Sequence, residues 1–166
     1  KQKYENYVKY IKNNYRIIDF IHDIDMNKKI NEDFTLKNAL IKADIITIMI
    51  GNNDYLSYIN DVDILNEGVL ELKDNMREFL EVVRNISKEK IVFIGIPNIY
   101  QNNVKLNNFL KELNEMYRNL CSEYNIYYLD IFDILKDQIY QNKLSTEGYQ
   151  IIFNELIKEV DNVIIN

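Results

Sequence analysis

Apolar residues in this chain gather in two ways. Runs at 45–50 and 91–96 are almost unbroken and β-branched, and a third, more mixed run lies at 126–131. Elsewhere apolar residues return every three or four positions. The first pattern suits strands covered on both faces of a sheet, and the second suits helices with one apolar side. The helical spacing covers 3–13 (Tyr4, Val8 and Ile11 on one face, with Tyr7 beside them) and 16–28 (Ile17, Phe20, Ile21, Ile24). It continues over 35–43, where Thr35 can cap the first turn, and over 69–87 (Leu72, Met76, Phe79, Leu80, Val83, Ile86). Further helices are expected over 104–124 (Leu106, Phe109, Leu110, Leu113, Met116, Tyr117, Leu120), briefly near 132–136, and over 146–160 with Ser145 as N-cap. Strands alternating with amphipathic helices predict an α/β fold: a three-layer α/β/α sandwich around a parallel sheet, flavodoxin-like in outline.

Composition narrows the picture without changing it. A chain of 166 residues with 47% hydrophobic and 28% charged residues, one Pro and four Gly fits a single well-packed domain over 1–166. The net charge of -6, with lysines interspersed among Glu and Asp, offers no phosphate-binding face, so nucleic acid is not an expected partner. No apolar run reaches the length of a membrane span. The stretch from Asp23 has Lys28 and Phe34 where a calcium loop needs Gly and Glu, so neither metal nor cofactor is expected. The single cysteine, Cys121, cannot form an intrachain disulfide and reads as a buried structural thiol. The chain starts at Lys1 and shows no secretory leader; a removed leader would place a soluble domain outside the cytoplasm.

The candidate chemistry sits after the first apolar run. Gly51-Asn52-Asn53-Asp54 is a turn-forming cluster where that strand should end, and in parallel α/β sheets ligands collect beyond the carboxyl ends of strands. The run "ADIITIMIGNNDYL" resembles the Gly-x-Asn-Asp block of the SGNH hydrolases, also called GDSL esterases and lipases. Leu144-Ser145-Thr146-Glu147-Gly148-Tyr149 looks like the helix opening that follows the Asp-x-x-His pair of that family. The resemblance implies an α/β/α sandwich that binds a small ester or an acylated carbohydrate. It assigns Asn53 to the oxyanion-binding carboxamide, Gly51 to the turn beneath it, and Asp54 to bracing the loop.

The same resemblance marks departures. Five residues before Gly148 the family has its His, and here stands Lys143; three residues earlier its Asp position holds Tyr140. The family's second block, a Gly ahead of the second helix, aligns near 14–19, where Arg16 or a neighbour takes its place. The Gly-Asp-Ser block with its preceding strand is not in this sequence; that strand either lies upstream of Lys1 or is missing from the protein, and the domain over 1–166 is expected to lack it. A lysine serves as a base only when burial removes its proton, and Lys143 lies in a polar run. His22, the one histidine, falls on the polar side of its helix, and none of Ser57, Ser87, Ser122 and Ser145 stands in a sharp Gly-flanked turn after a strand. One oxyanion donor contributes on the order of 10² to 10³ in rate, whereas loss of Ser or His from a triad costs on the order of 10⁶. Two readings follow. One is an SGNH-type, lipase-like ester hydrolase with nucleophile and base not visible in this chain. The other is a catalytically inactive relative, binding a ligand or a protein partner through the cleft or through its thirteen tyrosines.

Overall fold

The computed structural model describes residues 7–59, 65–135, 138–140 and 143–165. Helices α1 (Ile17–Asp25) and α2 (Leu36–Lys42) lead into strand β1 (Ile45–Ile48). A single 3-10 turn (Tyr55–Ser57) and the long α3 (Leu65–Ile86) lead into β2 (Lys90–Ile94), and α4 (Val104–Glu123) leads into β3 (Tyr127–Leu129). A small antiparallel hairpin, β4 (Ile139–Tyr140) and β5 (Lys143–Leu144), precedes α5 (Thr146–Ile165). Strands β1, β2 and β3 pair in that order and all in parallel, with Ile46 opposite Ile91 and Phe93 opposite Tyr128.

The central strand shows why layers form on both sides. Ile91, Val92, Phe93 and Ile94 are all buried, yet alternate residues enter different cores. Ile91 and Phe93 join the large core built with Ile17 and Ile21 of α1, Leu80 of α3 and Leu113 of α4. Val92 packs on Val160 and Val163 of α5, and Ile94 on Ile152. Helices therefore cover both faces, and the expected α/β/α sandwich is what forms. Thr35 caps α2 by accepting the Asn38 N–H at 3.3 Å, and Ser145 caps α5 by accepting the Gly148 N–H at 3.0 Å.

Two clamps fix the strand ends. Asn114, buried on α4, takes the Ile96 N–H at 2.8 Å on its Oδ1 and donates from Nδ2 to the Ile96 and Leu110 carbonyls at 3.1 and 2.8 Å. Its Oδ1 also accepts from the Tyr128 hydroxyl, so α4, the end of β2 and β3 are tied through one carboxamide. Arg84 donates to four backbone carbonyls, those of Ser87, Glu89, Tyr124 and Asn125, and thereby joins the C-terminal ends of α3 and α4.

Several sequence expectations need correction. The helix over 3–13 does not form across its described part, 7–13, where Tyr7 and Ile11 are 66% and 75% exposed; residues 3–6 lie outside the described residues. A short amphipathic helix without an apolar surface to cover is marginal. This segment is instead anchored at one point, where the Tyr10 hydroxyl donates to the buried Asp23 carboxylate at 2.5 Å. The expected helical piece near 132–136 is a turn over 132–135, set by Asp130 Oδ1 accepting the Phe132 N–H at 2.9 Å, and Lys136 lies outside the described residues. Helix α3 begins at Leu65 rather than Val69, and α5 runs on to Ile165. Strand β1 is fully covered on one face and only in part on the other, where Ile45 is half-buried against Val92, Val160 and Val163. Ile46, Ile48 and Ile50 are buried while Thr47 and Met49 are exposed, because β1 is the edge of the described sheet and α5 lies over β2 and β3.

Candidate functional site

Beyond the carboxyl end of β1 the chain passes through Ile50 and turns at Gly51, whose φ of +95° lies in the region that side chains disfavour. A Cβ at this position would also stand 3.1 Å from the ring of Tyr117, so the backbone favours glycine and a larger residue would need that ring to give by a few tenths of an ångström. The turn carries Asn52, Asn53 and Asp54 into the 3-10 turn that follows.

The side chains of Asn53 and Asp54 grip one segment, the start of α1. Asn53, half-buried, donates from Nδ2 to the Tyr15 carbonyl at 2.9 Å. Asp54, 5% exposed, accepts the Ile17 N–H on Oδ1 at 2.9 Å, meeting one of the four N–H groups that a helix start leaves unpaired. The N–H between them, that of Arg16, goes to the Asp19 carboxylate at 2.8 Å in a capping box, and is therefore occupied. Asn14, just upstream, holds a left-handed φ of 62°, which lets the chain reverse into this arrangement. The interlocked result is a loop whose carboxamide and carboxylate are both committed, at least in part, to the segment 15–17.

Desolvation dominates the electrostatics. Burial pushes the Asp54 carboxyl up to about 6, against the opposing pull of the Ile17 N–H and of the Arg16 charge. Its second oxygen, Oδ2, is buried and has no hydrogen-bond partner, and neither has the hydroxyl of Tyr117 beneath the loop. Past β2, Asn98 is 3% exposed with its Oδ1 unpartnered, and the amide nitrogen of Gln101 is likewise buried and unpaired. Every buried, unpartnered side-chain polar atom among the described residues thus belongs to the loops after β1 and β2 or to the tyrosine under the first of them.

Gly51, Asn53 and Asp54 stand together in the turn after β1. Tyr140 and Lys143 stand opposite each other on the β4–β5 hairpin, and the Lys143 side chain is exposed. Among the described residues no hydrogen bond or ion pair joins Lys143 to the 51–54 loop. His22 is also exposed, 3.9 Å from the Asp23 carboxylate. Cys121 is wholly buried, and burial raises its thiol to about 12, which suits a structural role. No cluster of His, Cys, Asp and Glu with metal-binding geometry occurs among the described residues. A groove of about 320 Å³ lies along α3 and α4, lined by Lys73, Glu112 and Glu115 among others, away from the loop. Sequence reasoning missed Tyr117, which has the spacing of any core position on α4. It also passed over Asn98, although a polar residue two positions after a predicted strand was a usable signal.

An α/β/α sandwich with a Gly-x-Asn-Asp loop beyond a strand of its parallel sheet defines a class of hydrolase-type folds. The sequence model of the GDSL-like Lipase/Acylhydrolase family matches residues 15–151, and the chain belongs to that family. Among solved structures it is similar to the lipase Lip_vut3 from a goat rumen metagenome, at 19% identity and a TM-score of 0.69, covering 86% of this chain and 73% of that one. It is also similar to Axe2, an acetylxylan esterase from Geobacillus stearothermophilus, at 17% identity and a TM-score of 0.63, covering 89% of this chain and 68% of that one. At these identities the likeness establishes the fold. No curated protein matches the chain.

Proposed function

We propose that this chain is a GDSL-family domain that binds an acyl ester or acylated carbohydrate at the carboxyl end of its sheet and does not hydrolyse it by the usual His-assisted route. The observation that carries this reading is Lys143. The family resemblance puts it at the general-base position, and its side chain stands exposed on β5. Tyr140, in the position of the orienting Asp, adds no carboxylate there. The proposed ligand site is the loop of Gly51, Asn53 and Asp54. In this reading Asn53 supplies the carboxamide donor to the ligand carbonyl, and Gly51 and Asp54 hold that donor in place. A donor without a proton shuttle can bind a carbonyl but gives little help in expelling the alcohol. Ester-bearing ligands fit because the similar folds include a lipase and an acetylxylan esterase.

Retention of the Gly51-Asn53-Asp54 set supports a second reading, an active esterase with an unconventional base. One experiment separates the two. Acetylated xylo-oligosaccharide is added to isotopically labelled protein, and amide shifts and released acetate are followed together. Shifts at Gly51 and Asn53 without acetate release support the binding domain. Acetate release that disappears in Asn53→Ala supports the esterase, and neither shifts nor release removes the loop from consideration as a ligand site.

A further inference from the structure

Asp54 and Tyr117 pose a problem that the family loop alone does not explain. Asp54 comes from the loop after β1, and Tyr117 comes from the middle of α4, 0% exposed. Oδ2 of the first and the hydroxyl of the second are both buried and both unpartnered, and the Asp54 charge acts on Tyr117. The hydroxyl sits 3.3 Å from where a Cβ on Gly51 would be, so it lies directly against the turn that delivers Asp54. A buried polar group left without a partner costs about 1–3 kcal/mol, and two such groups, one carried by a short loop and one packed against it, can satisfy each other. A carboxylate with one of its two oxygens bonded has room for a second strong donor.

We propose that Tyr117 is the positioning residue of the 51–54 loop: when Asp54 ionises, the Tyr117 hydroxyl donates to Oδ2 and clamps the loop onto α4. With Asp54 neutral, the loop rests on the Ile17 N–H and on the packing of Gly51 against the tyrosine ring. With Asp54 charged, the added bond ties the loop that bears Asn53 to the core helix. The clamp thereby sets the position of the carboxamide according to the proton on its neighbour.

The surroundings permit this assignment. From α1, Arg16 and Asp19 act on Asp54 with opposite signs. Just past the 3-10 turn Tyr58 feels the Asp54 charge, but its hydroxyl is bonded to Glu71. Tyr55 and Tyr128 act on Tyr117, and the Tyr128 hydroxyl is bonded to Asn114. Of the tyrosines acting on this pair through bonds or charge, Tyr117 is the one whose buried hydroxyl has no other acceptor and stands against the loop.

The test is a carbon-13 NMR titration of the Asp54 carboxyl in the wild type and in Tyr117→Phe. Removing a donor to the charged form must raise the midpoint, by about half a unit or more. An unchanged or lowered midpoint overturns the clamp. A second measurement needs no tyrosine variant, in case Tyr117→Phe fails to fold. In the wild type the Tyr117 Cζ resonance must move with the Asp54 midpoint and must stop moving in Asp54→Asn. A Tyr117 resonance that stays flat through the Asp54 titration overturns the proposal.

Discussion

Gly51 is held by two independent constraints, a positive φ and the ring of Tyr117 close to where a Cβ would stand. Gly51→Ala meets both, and a loss of about 1–3 kcal/mol in unfolding free energy is expected from the backbone strain alone, measurable by urea denaturation. Asn114 is the other residue with an outsized role, because one side chain serves both the N–H and the carbonyl of Ile96 inside the core. Asn114→Ala strands two backbone groups and should cost about 2–4 kcal/mol. A loss under half of that would mean that water replaces the carboxamide. At this scale the candidate site was partly legible. A Gly-x-Asn-Asp cluster after an apolar run pointed to Gly51, Asn53 and Asp54 without coordinates. Tyr117 was not legible, since thirteen tyrosines share the chain and only the packing shows which hydroxyl lies beneath the turn.

At the scale of elements, apolar period predicted the structure wherever an element had a surface to cover. Helices α3 and α4 follow their periodic stripes because β1, β2 and β3 offer an apolar face to them. The 3–13 stripe has the same period, yet no helix forms over 7–13, where its apolar residues face solvent and only Tyr10 is tied down, to Asp23. Periodicity reports what a helix would bury and is silent on whether anything awaits it. The exposure of Thr47 and Met49 on β1 escaped the sequence for a related reason: a continuous apolar run suits a covered strand, and which strand lies at an edge is decided by sheet order. Arg84 joins elements that no local pattern connects. Its four bonds to the chain ends after α3 and α4 predict that Arg84→Ala lowers stability by about 1–2 kcal/mol. Hydrogen exchange should quicken at 123–126 and 87–90 ahead of the strands, and uniform quickening across the sheet would contradict the local role.

For the molecule as a whole, the layered fold and the family were readable from the order of strands, helices and the 51–54 cluster. The acid–base reading rests on the resemblance alone, which puts Lys143 and Tyr140 at the family's His and Asp positions. Asp54 links the loop to global stability. Its carboxyl rises from an ordinary value of 3.8 to about 6 on folding, so the native state holds more protons than the unfolded chain between those values. Stability from this group is therefore present at the acid end and lost as pH rises through about 6. Asp54→Asn keeps an acceptor for Ile17 and carries no charge. It should gain on the wild type from pH 4 to 6 and hold a constant advantage above, as followed by thermal unfolding in parallel buffers. The central claim, that the loop survives without a working proton shuttle, is tested most directly by turnover of p-nitrophenyl acetate from pH 5 to 9. The account predicts release at the buffer rate for the wild type and Asn53→Ala alike. Release well above buffer in the wild type, abolished in Asn53→Ala, would contradict it.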